Sequence, residues 1–239
     1  MIKTILKKAF SSFGYTISKH SEDSDLTMNA ALARCVKRGL DVNTVIDVGA
    51  SDGRWSRDCM KHIPNAKYLL IEAQEPHKSA LDNFRREKTN VDYVLAAAGH
   101  KEGKIYFDNS ALFGGLASNT PFDEGSIEVP VVTIDHEIKK RNLKGPYLIK
   151  LDTHGFEVPI LEGARETLKN SSLVIIESYN YRLTDTSLRY FEMCNYMHQL
   201  GFLSIELVDL SLRDRDSSFW QMDVFFIPAN SKEFTSNSF

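Results

Sequence analysis

A chain of 239 residues, 42% hydrophobic and 26% charged, is long enough for one large domain with a substantial core. Its 29 basic and 32 acidic residues leave a formal net charge of −3, so no global field draws it to nucleic acid or an acidic membrane. No apolar run is long enough to cross a bilayer.

The opening segment, MIKTILKKAFSSFGYTI, sets Lys3, Lys7 and Lys8 among Ile2, Ile5, Leu6, Phe10 and Phe13. Lysines interrupt any uncharged stretch, so it makes a poor signal peptide. It fits a short amphipathic helix. The expected partner of its apolar face is the same chain or a second subunit of a homo-oligomer. The face is narrower than a membrane-surface helix needs. A second helix spans Thr27 to Arg38 and closes at Gly39. Residues 1–43 therefore read as an N-terminal helical extension.

From Thr44 the pattern alternates. TVIDV is a buried strand, and Trp55 to His62 begins a helix. AKYLLIEA is a strand, His77 to Glu87 a helix and VDYVLAAAG a strand. GKIYFDN and SIEVPVVTID read as strands around a Gly-, Ser- and Asn-rich loop, residues 110–125, of the kind that often serves function. PYLIKLD is a strand, Phe156 to Lys169 a helix and SSLVIIES a strand. Ser187 to Leu200 is a helix. FLSIELVD and SFWQMDVFFIP follow with no helix between them and suit an antiparallel pair. Strands separated by helices argue for an α/β domain over 44–230, with a mostly parallel sheet covered on both faces. Residues 231–239 read as a frayed, disordered tail. Cys35, Cys59 and Cys194 are scattered and form no C-x-x-C pair. They fit reduced thiols in a cytoplasmic protein.

The strand TVIDV runs into VGASDGRWS. In an open parallel sheet, ligands bind beyond the carboxyl ends of the strands. Gly49 and Gly53 let backbone approach a ligand closely, and the next helix offers amides to an anionic group. The spacing, D-x-G-x-x-x-G from Asp47, is not the dinucleotide fingerprint. Carboxylates at Asp47 and Asp52 would repel a pyrophosphate and suit an ammonium or sulfonium. S-adenosyl-L-methionine carries both. Glu72 ends the next strand, 19 positions after Gly53, where a carboxylate can accept a ribose diol. Glu75 is the competing candidate. The expected cofactor-binding set is Asp47, Gly49, Ala50, Ser51, Asp52, Gly53, Glu72, Ala73 and Ala97.

VIDVGASDGRWS resembles motif I of the class I S-adenosylmethionine-dependent methyltransferases. IEAQEP, AAAGHKEG, VPVVTID ending in Asp135, and LIKLDTHGFEVPILEGARETL follow in order. Together they resemble the FkbM methyltransferase family, over about Thr44 to Glu177. Ser51 and Asp52 stand where many methyltransferases carry a further glycine. The resemblance implies a Rossmann-like, seven-stranded, mostly parallel sheet whose last strand inserts antiparallel. It also implies O-methylation of a hydroxyl, often on a sugar or a secondary metabolite.

Methyl transfer from a sulfonium needs the nucleophile, methyl carbon and sulfur in line. A hydroxyl nucleophile also needs a base. KLDTHGFE puts Lys150, Asp152, His154 and Glu157 where a strand passes into a helix, and Glu177 ends the next strand. Asp152, His154 and Glu177 are the expected catalytic residues, with Asp152 or His154 taking the proton. Asp152 and Glu177 could hold Mg2+ and orient a diol, but no metal-ligand spacing is evident locally, so no metal ligand is assigned. The expected acceptor is a small molecule or glycan. The rival readings are an NAD-dependent oxidoreductase or epimerase, and a non-catalytic nucleoside-binding module of the same fold.

Overall fold

The computed structural model describes residues 25–122, 125–236 and 238. The amphipathic segment expected at the N-terminus lies outside them. Helix α1 (Met28–Lys37) opens on Thr27, whose side chain accepts from the Ala30 amide at 3.3 Å. The alternation then follows: β1 (Thr44–Val48), α2 (Arg54–Cys59), β2 (Lys67–Glu72), α3 (Lys78–Glu87) and β3 (Val91–Leu95). An inserted stretch carries β4 (Ala97–Ala98), β5 (Gly103–Asp108), β6 (Leu116–Ser118), β7 (Ser126–Val132) and α4 (Ile134–Lys140). The chain returns through β8 (Tyr147–Leu151), α5 (Glu157–Glu162), α6 (Arg165–Leu168) and β9 (Ser171–Tyr179). It closes with α7 (Tyr190–Gln199), β10 (Phe202–Leu212) and β11 (Phe219–Pro228).

The seven-stranded sheet has the order β10-β11-β9-β8-β1-β2-β3. β8, β1, β2 and β3 pair in parallel, as do β8 and β9. β11 lies between β9 and β10 and runs against both. This is the Rossmann-like sheet with an inserted last strand. Alternate residues of each strand serve opposite faces. Ile46, Val48, Leu69, Ile71, Ile149 and Leu151 pack under α4 to α7 and the inserted strands. Val45, Leu70, Leu148 and Phe225 pack under α1, α2 and α3. No helix among the described residues is long and apolar enough to cross a membrane.

Four local expectations change. VDYVLAAAG is two strands: after β3 the Ala96 amide bonds the Glu72 carbonyl at 2.8 Å, and Ala97–Ala98 cross into a small sheet, β4-β7-β5-β6. SIEVPVVTID stops as a strand at Val132, because Thr133 caps a helix by accepting from the His136 amide at 3.1 Å. The signal was legible: a threonine, then Asp135 and Glu137 in the first turn and Lys139 and Lys140 in the last. The single helix expected over Phe156 to Lys169 is broken at Gly163, which presses on backbone; a Cβ there would lie 2.0 Å from the Gly99 carbonyl oxygen. Asp135 then starts α6 anew, accepting from the Thr167 and Glu166 amides at 2.8 and 3.0 Å. In the tail expected to fray, Lys232–Phe234 form a 3₁₀ turn, and Lys232 Nζ donates to the Arg38 carbonyl at 2.9 Å.

α1 is fastened to β10. Arg34 forms a two-pronged bond to Glu206, at 3.0 and 2.8 Å, and Arg38 pairs with the same carboxylate at 2.7 Å.

Candidate active site

β1 lies between β2 and β8, and the carboxyl ends of the three strands open on a cleft of about 340 Å³. The chain leaves β1 through Gly49, at φ +76°, where a Cβ would stand 2.0 Å from the Asp152 carbonyl oxygen. Glycine therefore lets the loop press against the end of β8. Gly49, Ala50 and Ser51 line the cleft, with Glu72, Ala73 and Ala97 opposite. Glu72 is 5% exposed. Its Oε2 accepts from the Ser51 amide and its Oε1 from the Gln74 amide, both at 2.7 Å. Burial pushes its carboxyl up, against the pull of those two amides. Glu75 is exposed and pairs with Lys78 at 3.4 Å, away from the cleft lining.

Three expected cofactor residues do not reach the cleft. Asp47 points to the other face of the sheet, 1% exposed, where Ser56 Oγ donates to it at 2.6 Å. Burial lifts its carboxyl to about 7, against the Ser56 bond and the Lys150 charge. Asp52 is turned outward and held by Arg54 through bonds of 2.9 and 2.7 Å. Gly53 makes room for Phe84, whose Cδ1 would lie 2.7 Å from a Cβ. The loop amides are also committed. Those of Gly49 and Ala50 reach the Ile71 carbonyl, Gly53 the Ala50 carbonyl and Arg54 the Asp52 carboxylate. The expectation that Asp47 and Asp52 face a ligand from this loop is corrected. The carboxylates that do face the cleft are Glu72 and Asp152.

Asp152 and His154 line the far wall. His154 adopts a left-handed backbone, φ 49°, next to Gly155 at φ 100°. This turn aims Nε2 at Asp152 Oδ1, 3.7 Å away, and at Glu177 Oε2, 3.5 Å away. Asp152 Oδ2 faces the other way, 3.2 Å from Lys150 Nζ. Lys150 is 2% exposed; burial pulls its pKa down, but Asp223 and Asp152 outweigh that and hold the ammonium charged. Burial likewise raises Asp152, but Lys150 and His154 hold its carboxyl below the usual range. Glu177 stands behind His154, outside the cleft lining. It accepts from Tyr179 Oη at 2.6 Å and from Gln221 Nε2 at 2.5 Å. Burial and the neighbouring Asp152 charge push its carboxyl to about 8. Asp152, His154 and Glu177 each offer one donor atom within 4.8 Å of the others, which is a spacing that would also admit a metal ion.

Several lining residues were not among the expected site residues. Gln74 Nε2 donates to the Ala111 and Leu112 carbonyls at 3.2 and 3.1 Å, and His77 Nε2 donates to the latter at 2.9 Å. Phe113 packs on His77 at 5.4 Å and under the Arg54 guanidinium at 4.8 Å. These contacts pull the glycine-rich loop across the cleft mouth. A sequence hint did exist for the wall behind it. Lys150 and Asp223 each interrupt an apolar strand, and buried opposite charges seek one another.

The sequence matches the Methyltransferase FkbM domain over residues 47–204. No curated protein matches the chain. Among solved structures it is similar to a methyltransferase FkbM from Methylobacillus flagellatus KT, with a TM-score of 0.54 and 19% identity. That alignment covers 84% of this chain and 48% of the other, so this chain spans about half of that protein's length. It also aligns with a precorrin-6y C5,15-methyltransferase from Geobacter metallireducens GS-15, at TM-score 0.48 and 13% identity over 89% and 92% of the two chains. A third is the 1,6-didemethyltoxoflavin-N1-methyltransferase of Burkholderia thailandensis, at TM-score 0.48 and 8% identity over 96% and 88%. The family match runs from the glycine turn through the Asp152–His154 turn to Glu177 and into β10, and the chain belongs to the FkbM methyltransferase family.

Proposed function

We propose that the chain transfers a methyl group from S-adenosyl-L-methionine to a hydroxyl of a sugar, glycan or secondary metabolite. One observation carries the reading: a single cleft sets a backbone-anchored carboxylate, Glu72, opposite a second ionised carboxylate, Asp152. The lining fits the donor. Ile71, Ala97, Phe107 and Phe113 offer an apolar berth for a purine. Each Glu72 oxygen retains a lone pair beyond its amide bond, enough for a ribose diol. Arg54, at the cleft edge and bonded to Asp52 through Nε and Nη2, keeps Nη1 for the amino-acid carboxylate.

When bound, the donor supplies a methyl group activated by its sulfonium. The chain's residues align the acceptor and take its proton. Asp152, kept ionised by Lys150 and His154, accepts the hydroxyl proton from the cleft side. His154 orients the same hydroxyl. Glu177, outside the cleft, acts as a positioning residue through His154. Such a base accounts for about 10²–10⁴-fold of rate, and alignment for much of the rest.

A dinucleotide suits the site less well. The amides of Gly49, Ala50, Ser51, Gly53 and Arg54, which a pyrophosphate would use, are bonded to the Ile71 and Ala50 carbonyls and to the Glu72 and Asp52 side chains. Calorimetry with S-adenosylhomocysteine beside NAD tests the reading. Binding of NAD alone would overturn it. Labelled methyl transfer to a library of hydroxyl acceptors tests the reaction.

A further inference from the structure

We propose that a second cavity beside the donor cleft receives the methyl acceptor, and that this acceptor is a polyhydroxylated molecule bearing an ammonium group, as an amino sugar does. The inference rests on the methyltransferase reading above. The cavity holds about 380 Å³, bounded by the start of α1, the first turn of α2, and strands β8, β10 and β11. Arg54, Trp55 and Asp152 line both spaces. A molecule seated here therefore reaches the carboxylate assigned to take the proton.

The lining has more negative than positive charge. One buried ammonium, Lys150 Nζ, lies 3.2 Å from Asp152 Oδ2 and 3.2 Å from Asp223 Oδ1. Asp209, a third carboxylate of the lining, accepts from the Met28 amide at 3.1 Å and has no cation in ion-pair range among the described residues. Arg54 is engaged with Asp52, and Asp58 turns outward to Lys61 at 2.5 Å. One ammonium shared by Asp152 and Asp223, with none at Asp209, leaves room for a second cation.

Two polar atoms in this lining lack hydrogen-bond partners. Trp55 Nε1 is a buried donor with no acceptor. Asp223 Oδ1 is a buried acceptor that faces Lys150 as an ion pair but receives no hydrogen bond. Among the described residues only Ser211 Oγ shares that condition. Native proteins rarely leave such an atom idle, and the Trp55 N–H, which unlike Asp223 Oδ1 has not even an ion-pair partner, points to a ligand at this cavity. A sugar hydroxyl can accept from the indole N–H and donate to a carboxylate, and a ring face suits the indole. An ammonium adds charge-assisted bonds to Asp223 and Asp209. A neutral hexose leaves Asp209 unmatched, and an anionic acceptor is repelled.

The test uses the full chain and two probes, glucosamine and glucose, titrated by saturation-transfer NMR with and without S-adenosylhomocysteine. The pH is kept low enough to hold the amine charged. Glucosamine is expected to bind at least about tenfold more tightly than glucose, which corresponds to about 1.4 kcal/mol. Asp209→Asn and Asp223→Asn should each erase most of that preference while keeping S-adenosylhomocysteine affinity. Equal binding of the two sugars would overturn the inference, as would an unchanged preference in both variants. Should the variants fail to fold, the wild-type comparison decides alone. Loss of S-adenosylhomocysteine binding in the wild type would instead defeat the donor reading, since the sugar titration is also read without it.

Discussion

Replacing Glu72 by Gln separates two roles that its carboxylate combines. Its oxygens accept from the Ser51 and Gln74 amides at 2.7 Å each. A carboxamide has one oxygen, so whichever way it turns, one of those amides faces an NH₂ group. An orphaned buried donor costs about 1–3 kcal/mol. For a chain of this size that lowers the apo melting temperature by about 2–4 °C per kcal/mol. Loss of the charged acceptor for a ribose diol costs a further 1.5–3 kcal/mol of binding, roughly 10–150-fold in Kd. Calorimetry with S-adenosylhomocysteine measures the second effect and a ligand-free melt the first. Affinity within about twofold of wild type would refute the ribose assignment. An unchanged melt would refute the tether between the glycine loop and the end of β2.

Asp152→Asn keeps the shape of the far wall and removes its charge; kcat should fall by about 10²-fold or more with donor affinity nearly unchanged, and near-wild-type single-turnover transfer would exclude Asp152 as the base. Glu177 is held at about 8, so it is protonated at neutral pH and ionises beside Asp152 above that; Glu177→Gln should flatten the alkaline limb of the kcat profile, and an identical profile would remove it from the mechanism. Asp47 is held at about 7, well above its unfolded value, so the folded state binds more protons between these pKa values and stability falls as pH rises through that window, by at most about 1.4 kcal/mol per pH unit; chemical denaturation of Asp47→Asn across the window should show a shallower slope than wild type. Gly49→Ala puts a Cβ on the Asp152 carbonyl at a left-handed φ and should cost at least about 2 kcal/mol by urea denaturation, with weakened S-adenosylhomocysteine binding; a neutral result would show that the loop can retreat from β8.

The sheet could be read from the sequence because each central strand is a mostly apolar run between helices, a pattern that a parallel, doubly covered sheet demands. The inserted strands were harder. Ala97 and Ala98 continue an apolar run whose change of sheet depends on partners far along the chain. Gly163 breaks a helix for the sake of a backbone contact with Gly99, which no local pattern announces. Of the expected site residues, Glu72, Asp152 and His154 line the cleft, and their places at or just beyond strand ends are what made them legible. Asp47 and Asp52 were misplaced for a definite reason. Strand alternation turns Asp47 to the far face, and a neighbouring guanidinium two residues on captures Asp52. Gln74 and His77 act through contacts made across the cleft, so their residue types gave no notice.

The position of β11 bears on how the protein can be made and cut. It is the last strand in sequence but an interior one in the sheet, holding β10 to β9. A polypeptide stopped before Phe219 therefore loses more than an edge. β10 has no other neighbour in the sheet, and α1 is fastened to β10 through Glu206 and Asp209. During synthesis, β1, β2, β3, β8 and β9 can assemble as they emerge, whereas α1, though translated before any of them, waits for β11 before the β10 part of its docking surface exists. Pulse-labelled chains arrested just before and just after β11 should differ sharply in protease resistance of α1, the opposite of the usual rule that early segments are protected early.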